Sequence, residues 1–257
     1  MYDLHSHIMP GVDDGAVDIE ESVSMAKIAR DNGIKNIMAT PHYLEGVWCK
    51  NYAYNQKILN ELKKELVRKK IDIEVFLGNE VFITSDILKL LSQGEITTLN
   101  KSRYILIELP TIDIPIFTEN LIYELRLNKF IPIIAHPERN IKIIEDPNIL
   151  YGFIMKGALA QLNLPSIAGR YGDGIKNTAR ILLKNNMIHF IGTDAHAYKS
   201  VLSRLKSDIG VLVKSMNRSK LDKILYKNPE AVINDQMIET EEPRKYSPKN
   251  KFKNFFK

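Results

Sequence analysis

The chain has 257 residues, of which 44% are hydrophobic and 26% are charged. This composition is typical of a soluble globular protein, and the length suits a single βα barrel. The net charge of +5 does not indicate a nucleic-acid-binding domain, because six basic and no acidic residues follow Pro243 and the rest of the chain is close to neutral. A lone cysteine, Cys49, excludes a disulfide framework within the chain. Without a signal-peptide pattern or a long apolar run, a cytoplasmic protein is expected.

Short β-rich segments alternate with helical patterns along most of the chain. Seven apolar segments are predicted strands, at residues 2–4, 34–39, 73–77, 104–109, 131–135, 158–162 and 188–191. Helical spacing of apolar residues predicts helices near residues 19–26, 58–66, 118–128, 147–156 and 175–186. Asp18 and Glu21 have capping-box spacing at the start of the first helix. The alternation predicts an α/β fold, specifically a distorted (βα)7 TIM-like barrel, with an open doubly wound sheet as the alternative.

Polar side chains follow the ends of most predicted strands. They are histidines and acids: His5, His7, His42, Glu80, Glu108, His136, Asp194 and His196. Strand ends on the carboxyl-terminal face of a βα barrel converge on one site, so these side chains are expected to meet. Each alone would be an ordinary loop or strand residue. Together, buried carboxylates and imidazoles would cost several kcal/mol unless bound cations compensated them. The pattern therefore predicts a site for two or three ions, and its ligand types suit manganese, iron or zinc.

The order of these motifs resembles the polymerase and histidinol phosphatase (PHP) superfamily. Within it, the sequence is most similar to the bacterial protein-tyrosine phosphatases encoded with capsular or exopolysaccharide genes. The resemblance covers residue 1 to about residue 196 and rests on DLHSHIMPGVDDG, TPH, GNE, SRYILIELP, FIPIIAHPERN and GTDAH, which begin at residues 3, 40, 78, 102, 130 and 192.

The resemblance implies a PHP-type barrel of seven distorted βα units that binds up to three ions, usually manganese. Matched motif by motif, it assigns the first ion to His5, His7, Glu80 and Asp194. It assigns the second ion to Glu80, Glu108 and His136, and the third to Asp14, His42 and His196.

Three arginines are candidates for binding a phosphoryl group. Arg139 in the HPER motif is the first, and Arg170, next to Tyr171, is the second. Arg204 is the third, although it lies eight residues beyond His196, farther than is common in the family. The aromatic side chains of Tyr43, Trp48 and Tyr171 are expected in loops near strand ends, either stacked on a phosphotyrosine ring or in ordinary loop packing.

The single cysteine excludes one class of tyrosine phosphatase. Cysteine-based enzymes of this kind need an arginine six positions after the nucleophile, and Asn55 occupies that position relative to Cys49. The cysteine-based route is therefore excluded, and Cys49 is expected to be an incidental loop thiol.

The resemblance implies hydrolysis of phosphotyrosine in the tail of a cognate, membrane-associated bacterial tyrosine kinase that controls polysaccharide export. The alternative is a small-molecule phosphomonoesterase related to histidinol phosphatase, which would share the metal site and differ in its loops. Residues 1–237 are predicted to form the phosphatase domain and residues 238–257 a flexible basic tail. That tail, with aromatics among its cations, suits either a disordered terminus or peripheral contact with an anionic membrane or the kinase.

Overall fold

A computed structural model of the protein describes residues 1–197 and 202–248. The strands within these ranges are β1 (Tyr2–Ser6), β2 (Asn36–Ala39), β3 (His42–Tyr43), β4 (Glu74–Leu77), β5 (Glu80–Phe82), β6 (Tyr104–Glu108), β7 (Ile131–Ala135), β8 (Leu159–Asn163) and β9 (Phe190–Gly192). The α-helices there are α1 (Ile19–Asp31), α2 (Tyr52–Arg68), α3 (Ile87–Gln93), α4 (Thr118–Leu127), α5 (Ile141–Glu145), α6 (Asn148–Met155), α7 (Leu164–Ala168), α8 (Asp173–Lys184), α9 (Leu205–Ser215), α10 (Arg218–Asp222) and α11 (Asn228–Ile233).

The strands form two parallel sheets in the order β1-β2-β4 and β3-β5-β6-β7-β8-β9. Each of the seven predicted strands is present, and the second and third are each followed, after a two-residue break, by a short strand that was not predicted, β3 and β5. The second breaks at Pro41, which has no N–H to donate to a neighbouring strand. The third breaks opposite it, where the side chain of Asn79 donates to the carbonyl of Pro41 at 3.1 Å. These two breaks divide one run of neighbouring strands into two sheets.

The first strand is also hydrogen-bonded to the segment after the last strand. Ser6 and Ala195 form a parallel bridge, His7 N–H donates to Ala195 O at 3.0 Å, and Asp194 N–H donates to His5 O at 2.8 Å. The α/β class with parallel sheets is thus confirmed. These bonds connect β1, at one end of the strand order, to the segment that follows β9, at the other end.

Each predicted helix is present, although α1 and α2 extend beyond the apolar positions from which they were predicted. Asp18 caps α1 by accepting from Glu21 N–H at 2.8 Å, as the capping-box spacing indicated. Helices α4, α6 and α8 agree with the predicted segments to within two residues at each end. Their apolar faces join the buried side chains of the strands in one large core cluster, so the helices cover the sheets.

Residues 238–248 have no regular secondary structure, yet several contact the ends of the strands or helices. Arg244 N–H donates to Asn185 O at 2.9 Å, and Tyr246 N–H donates to the side chain of Asn148 at 2.8 Å. Residues 249–257 of the predicted tail lie outside the described part of the chain. In that part, no helix is both long and apolar enough to cross a membrane.

Candidate metal centre

The carboxyl ends of the strands bring the predicted histidines and acids together. His5 lies in β1 and His7 follows it directly, and both rings are fully buried. Their Nε2 atoms face each other at 3.1 Å. This agrees with the two-residue spacing, which places both side chains on one face of the strand.

Glu80, the first residue of β5, lies at the centre of this cluster. Its Oε2 atom is 3.1 Å from His5 Nε2, 3.2 Å from His7 Nε2 and 3.1 Å from His42 Nδ1. Its Oε1 atom is 2.9 Å from His136 Nε2. Among the residues that the structure describes, Oε2 is buried without a hydrogen-bond partner of normal geometry. A buried carboxylate oxygen surrounded by three ring nitrogens fits a cation held between them.

Three groups of side chains have ligand atoms close enough to share an ion. One group is His5, His7, Glu80 and Asp194, the same four residues that the family resemblance assigns to the first ion. The other groups are His7, Asp14, His42 and His196, and His42, Glu80 and Glu108. His136 lies beside the last of these, 3.8 Å from Glu108 through its Nε2 atom. The three groups overlap at His7, His42 and Glu80, so ions held by different groups would share ligands.

The charges in the cluster shift the pKa values of its members in opposite directions. Burial lowers the pKa of His5, but the charges of Glu80 and Asp194 outweigh burial and raise it to about 9. Burial raises the pKa of Glu80, but the neighbouring imidazoles outweigh it and hold the pKa well below its usual value. Burial, reinforced by repulsion from Glu80, raises the pKa of Glu108 to about 7. The negative potential that retains protons on these imidazoles would also attract metal cations.

Two members of the cluster have a left-handed backbone conformation. His136 follows β7 with φ 29° and Asp194 follows β9 with φ 53°. Neither residue is glycine, so each conformation costs on the order of 1–3 kcal/mol that the surrounding structure must supply. Both residues lie just after the end of a strand, where the backbone conformation sets the direction in which the side chain points.

Residues outside the predicted ligand set orient its members. Asp13 accepts a hydrogen bond from His7 Nδ1 at 2.7 Å and from His42 N–H at 2.9 Å. Gln161 and Asn163 lie two residues apart in β8, and Asn163 Nδ2 donates to Asp194 Oδ2 at 2.7 Å. The sequence pattern did not single out these two amides. The signal available was their i, i+2 spacing near the end of an apolar strand, the same spacing as in His5 and His7.

The three predicted phosphate-binding arginines have different surroundings. Arg139 lies at the cluster, where its Nη1 donates to Asp194 Oδ2 at 2.9 Å and its guanidinium lies 5.5 Å from the centre of the Tyr171 ring. Arg170 instead pairs with the buried carboxylate of Asp208 in α9 at 2.6 Å. Arg204 is exposed at the start of α9, where its carbonyl accepts from Ser207.

The three loop aromatics are also placed differently. Trp48 stacks on His42 with ring centres 4.9 Å apart and planes 15° from parallel. Tyr171 is half-exposed beneath Arg139, whereas Tyr43 is buried and packs in the core. Trp48 and Tyr171 therefore border the cluster, and Tyr43 does not present its ring to a ligand.

Comparison with known proteins places the chain in a family. Residues 1–234 match the family model described as "Capsular polysaccharide synthesis, CpsB/CapC". The chain is 37% identical to "Tyrosine-protein phosphatase YwqE" of Bacillus subtilis (strain 168) over 95% of this chain and 96% of the relative. It is 39% identical to "Putative tyrosine-protein phosphatase CapC" of Staphylococcus aureus over 77% of each chain. It is 28% identical to "Tyrosine-protein phosphatase CpsB" of Streptococcus pneumoniae over 93% of this chain and 100% of the relative.

A solved structure agrees with this assignment. It comes from work on YwqE of B. subtilis and CpsB of S. pneumoniae, described as unique metal-dependent tyrosine phosphatases. It has a TM-score of 0.90 and 35% identity over 96% of this chain and all of that chain. A histidinol phosphate phosphatase from Lactococcus lactis subsp. lactis has a TM-score of 0.53 and 16% identity over 84% of this chain and 94% of its own, a likeness of fold alone.

The fold and the cluster define an α/β protein whose parallel strands end in residue groups able to hold metal ions. The chain belongs to the CpsB/CapC family of capsular polysaccharide synthesis proteins.

Proposed function

We propose that the protein is a metal-dependent tyrosine-protein phosphatase. The observation that carries the proposal is Glu80, whose buried Oε2 faces three imidazole nitrogens at 3.1–3.2 Å. Relatives that are 37% and 28% identical over most of the chain are named tyrosine-protein phosphatases. Cys49 is exposed and has Asn55 six positions later, so thiol chemistry does not compete as an explanation.

The proposed ions are two or three manganese ions, and iron or zinc would suit the same nitrogen and oxygen ligands. The first ion would bind His5, His7, Glu80 and Asp194. The second would bind Glu80, Glu108 and His136, and the third Asp14, His42 and His196. When bound, such cations make water a stronger nucleophile near neutral pH and neutralise charge on a phosphoryl group.

Arg139 is proposed to bind the phosphoryl oxygens. Its contact with Asp194 uses Nη1, and a guanidinium has five N–H donors, so others remain for a bidentate contact with phosphate. Asp194 and the Tyr171 ring would hold the guanidinium in place before substrate binds. Arg204, a candidate catalytic residue, and Arg170 are further candidates for phosphate contact, and Arg170 would first have to leave its ion pair with Asp208.

The proposed architecture is a distorted (βα)7 barrel of the PHP type formed by residues 1–237. The bonds of Ser6 and His7 with Ala195 support closure between the first and last strands. Residues 238–257 would form the flexible basic tail, which Arg244 and Tyr246 attach to the domain and of which residues 249–257 lie outside the described chain.

The proposed substrate is phosphotyrosine in the tail of a membrane-associated bacterial tyrosine kinase that regulates capsule or exopolysaccharide synthesis. The family description, which refers to capsular polysaccharide synthesis, supports this setting. A cytoplasmic location and peripheral membrane contact through the basic tail remain predictions from the sequence.

Metal depletion combined with a choice of substrates tests the proposal. Purified protein should lose hydrolysis of a phosphotyrosyl peptide on exhaustive chelation and regain it when Mn²⁺ is added. Glu80→Ala and His136→Ala should be inactive and contain less metal, whereas Cys49→Ser should keep wild-type activity. Turnover that survives chelation would contradict metal dependence. Faster hydrolysis of histidinol phosphate than of the peptide would favour the small-molecule phosphomonoesterase.

A further inference from the structure

The loop at residues 110–117, between β6 and α4, exposes apolar side chains beside the candidate metal centre. Ile112 is 70% exposed and Ile116 is fully exposed. Ile114, between them, instead packs against the core. The alternation directs two large β-branched side chains into solvent, whereas apolar residues with no binding role are usually scattered singly over a surface.

This loop is fixed in position rather than loosely attached. Asn140, next to Arg139, donates through Nδ2 to Pro110 O at 2.7 Å and to Asp113 O at 3.0 Å. Ile141 N–H donates to Thr111 O at 2.8 Å. The backbone is therefore already ordered when a ligand arrives, so binding there would not have to order the loop.

The exposed loop is continuous with the candidate site. Thr111 lines the same small cavity as Glu108, His136 and Arg139. On the other side, Ile116 lines an open groove of about 490 Å³ with Asn120 and Tyr123 of α4. Glu119 and Lys156 also line this groove and pair with each other at 2.8 Å. Thr111 and Ile116, five residues apart in the same loop, thus connect the cavity beside the metal centre with this groove.

We propose that the loop at residues 110–117 is the docking surface for the polypeptide that flanks the phosphotyrosine, and that it selects apolar flanking side chains. This inference rests on the proposed phosphatase function. Asp113 is the one charged residue in the loop sequence, and the charges of Glu119 and Lys156 in the groove are paired with each other. Apolar flanking side chains would therefore be the ones that gain most, because they would cover Ile112 and Ile116. A short extended peptide suits the size of the surface. Its few side chains offer on the order of a few hundred Å², whereas a stable interface between two copies needs about 800 Å² on each.

Two matched phosphotyrosyl peptides and a small substrate test this surface. One peptide carries Val, Ile and Leu around the phosphotyrosine, and the other carries Ser at those positions with the same length and charge. Para-nitrophenyl phosphate has no flanking residues and reports the metal centre alone. The proteins are the metal-loaded wild type, Ile112→Ser/Ile116→Ser, and the control Val67→Ser, whose side chain is 78% exposed at the end of α2.

The double variant is expected to lose about tenfold in kcat/KM on the apolar peptide, mainly through KM, because two side chains no longer become buried on binding. Its rates on the serine peptide and on para-nitrophenyl phosphate should match those of the wild type, as should all rates of Val67→Ser. A double variant that keeps the wild-type preference, or loses all three substrates equally, overturns the proposal. So does a change in sedimentation mass with unchanged kinetics, because the surface would then serve a second copy.

The same measurements separate this inference from the function on which it rests. Wild-type protein that cleaves both peptides equally well overturns the docking surface and leaves the phosphatase function intact. Wild-type protein that cleaves para-nitrophenyl phosphate but neither peptide overturns the tyrosine-protein phosphatase function, and the docking surface with it.

Discussion

His5 Nδ1 donates a hydrogen bond to Gln161 Oε1 at 2.9 Å, and a chain of amides fixes the direction of that bond. Asp194 can only accept, so Asn163 Nδ2 donates to it and Asn163 Oδ1 is left as an acceptor. Gln161 Nε2 donates to that oxygen at 2.9 Å, which turns Gln161 Oε1 toward His5. His5 therefore keeps a proton on Nδ1 and presents Nε2 to the cluster, as a metal ligand requires.

Removing the side-chain amide of Gln161 should weaken metal binding without removing a metal ligand. Gln161→Ala is expected to lower metal affinity by about 10-fold to 100-fold, the usual cost of losing a partner behind a ligating histidine. Competition with a chelator, followed by metal analysis, measures the affinity. Asn228→Ala is the matched control, since it removes a buried amide that donates to His189 O rather than to the cluster. Equal affinities in Gln161→Ala and wild-type protein would contradict the role given to Gln161.

Arg139 should act on phosphate and not on metal. Arg139→Ala is expected to lower turnover by roughly two to three orders of magnitude at unchanged metal content. The reason is that the negative charge on the phosphoryl group in the transition state would lose a hydrogen-bond donor. Arg139→Lys should restore only part of the rate, since an ammonium cannot form the bidentate contact. Steady-state kinetics with metal analysis of each variant measures both quantities. If Arg139→Ala turns over normally, phosphate binding must be reassigned to Arg170, to Arg204 or to the ions.

Trp48 provides an optical signal for metal binding. It is the one tryptophan in the chain, and its indole stacks on His42. Adding Mn²⁺ to chelated protein should therefore change tryptophan emission in a saturable way. Trp48→Phe should lose the signal while it retains metal, because phenylalanine can still cover the imidazole. Metal uptake by wild-type protein without any change in emission would show that no ion binds at His42.

His189, which lies outside the cluster, should cause the free energy of unfolding to decrease in mild acid. Burial lowers its pKa to about 4, with a further contribution from Lys220, whereas an unfolded histidine has a pKa of about 6.5. Below pH 6.5 the unfolded chain gains a proton that the folded chain excludes, so stability declines until about pH 4. Between pH 7 and pH 5 this amounts to about 2 kcal/mol of unfolding free energy.

His189→Asn isolates that contribution. Its side-chain oxygen can replace Nδ1 as the acceptor for Ala160 N–H, but it does not titrate. Chemical denaturation at pH 7 and pH 5 should therefore show a smaller loss of unfolding free energy in the variant than in wild-type protein. Both proteins are measured with metal removed, so that titration of the cluster cancels in the comparison. Equal losses would mean that His189 is protonated in the folded state.

Strand and ligand positions could be predicted from the sequence because they depend on short-range patterns. Each predicted strand is a short segment in which apolar residues predominate, and most predicted ligands lie at the end of such a segment or within a few residues of it. The short strands β3 and β5, which follow Pro41 and Asn79, were not predicted, because they are only two and three residues long and depend on pairing with neighbouring strands. Gln161 was missed because its partner, His5, lies 156 residues away and because a neutral amide carries no charge that marks it as functional.

The bond between Asp3 and Thr193 has a consequence for how the protein is made. Asp3 accepts from Thr193 N–H at 2.8 Å across 190 residues of chain. His5 and Asp194 are separated by nearly the same length of chain. At the ribosomal rate of about 5–20 residues per second, roughly 10 to 40 s separate the appearance of these partners. The first histidines therefore leave the ribosome long before the last carboxylate of their group. The nascent chain cannot assemble this candidate metal site until most of the protein has been translated, so an ion could bind all four side chains only late in synthesis or after it.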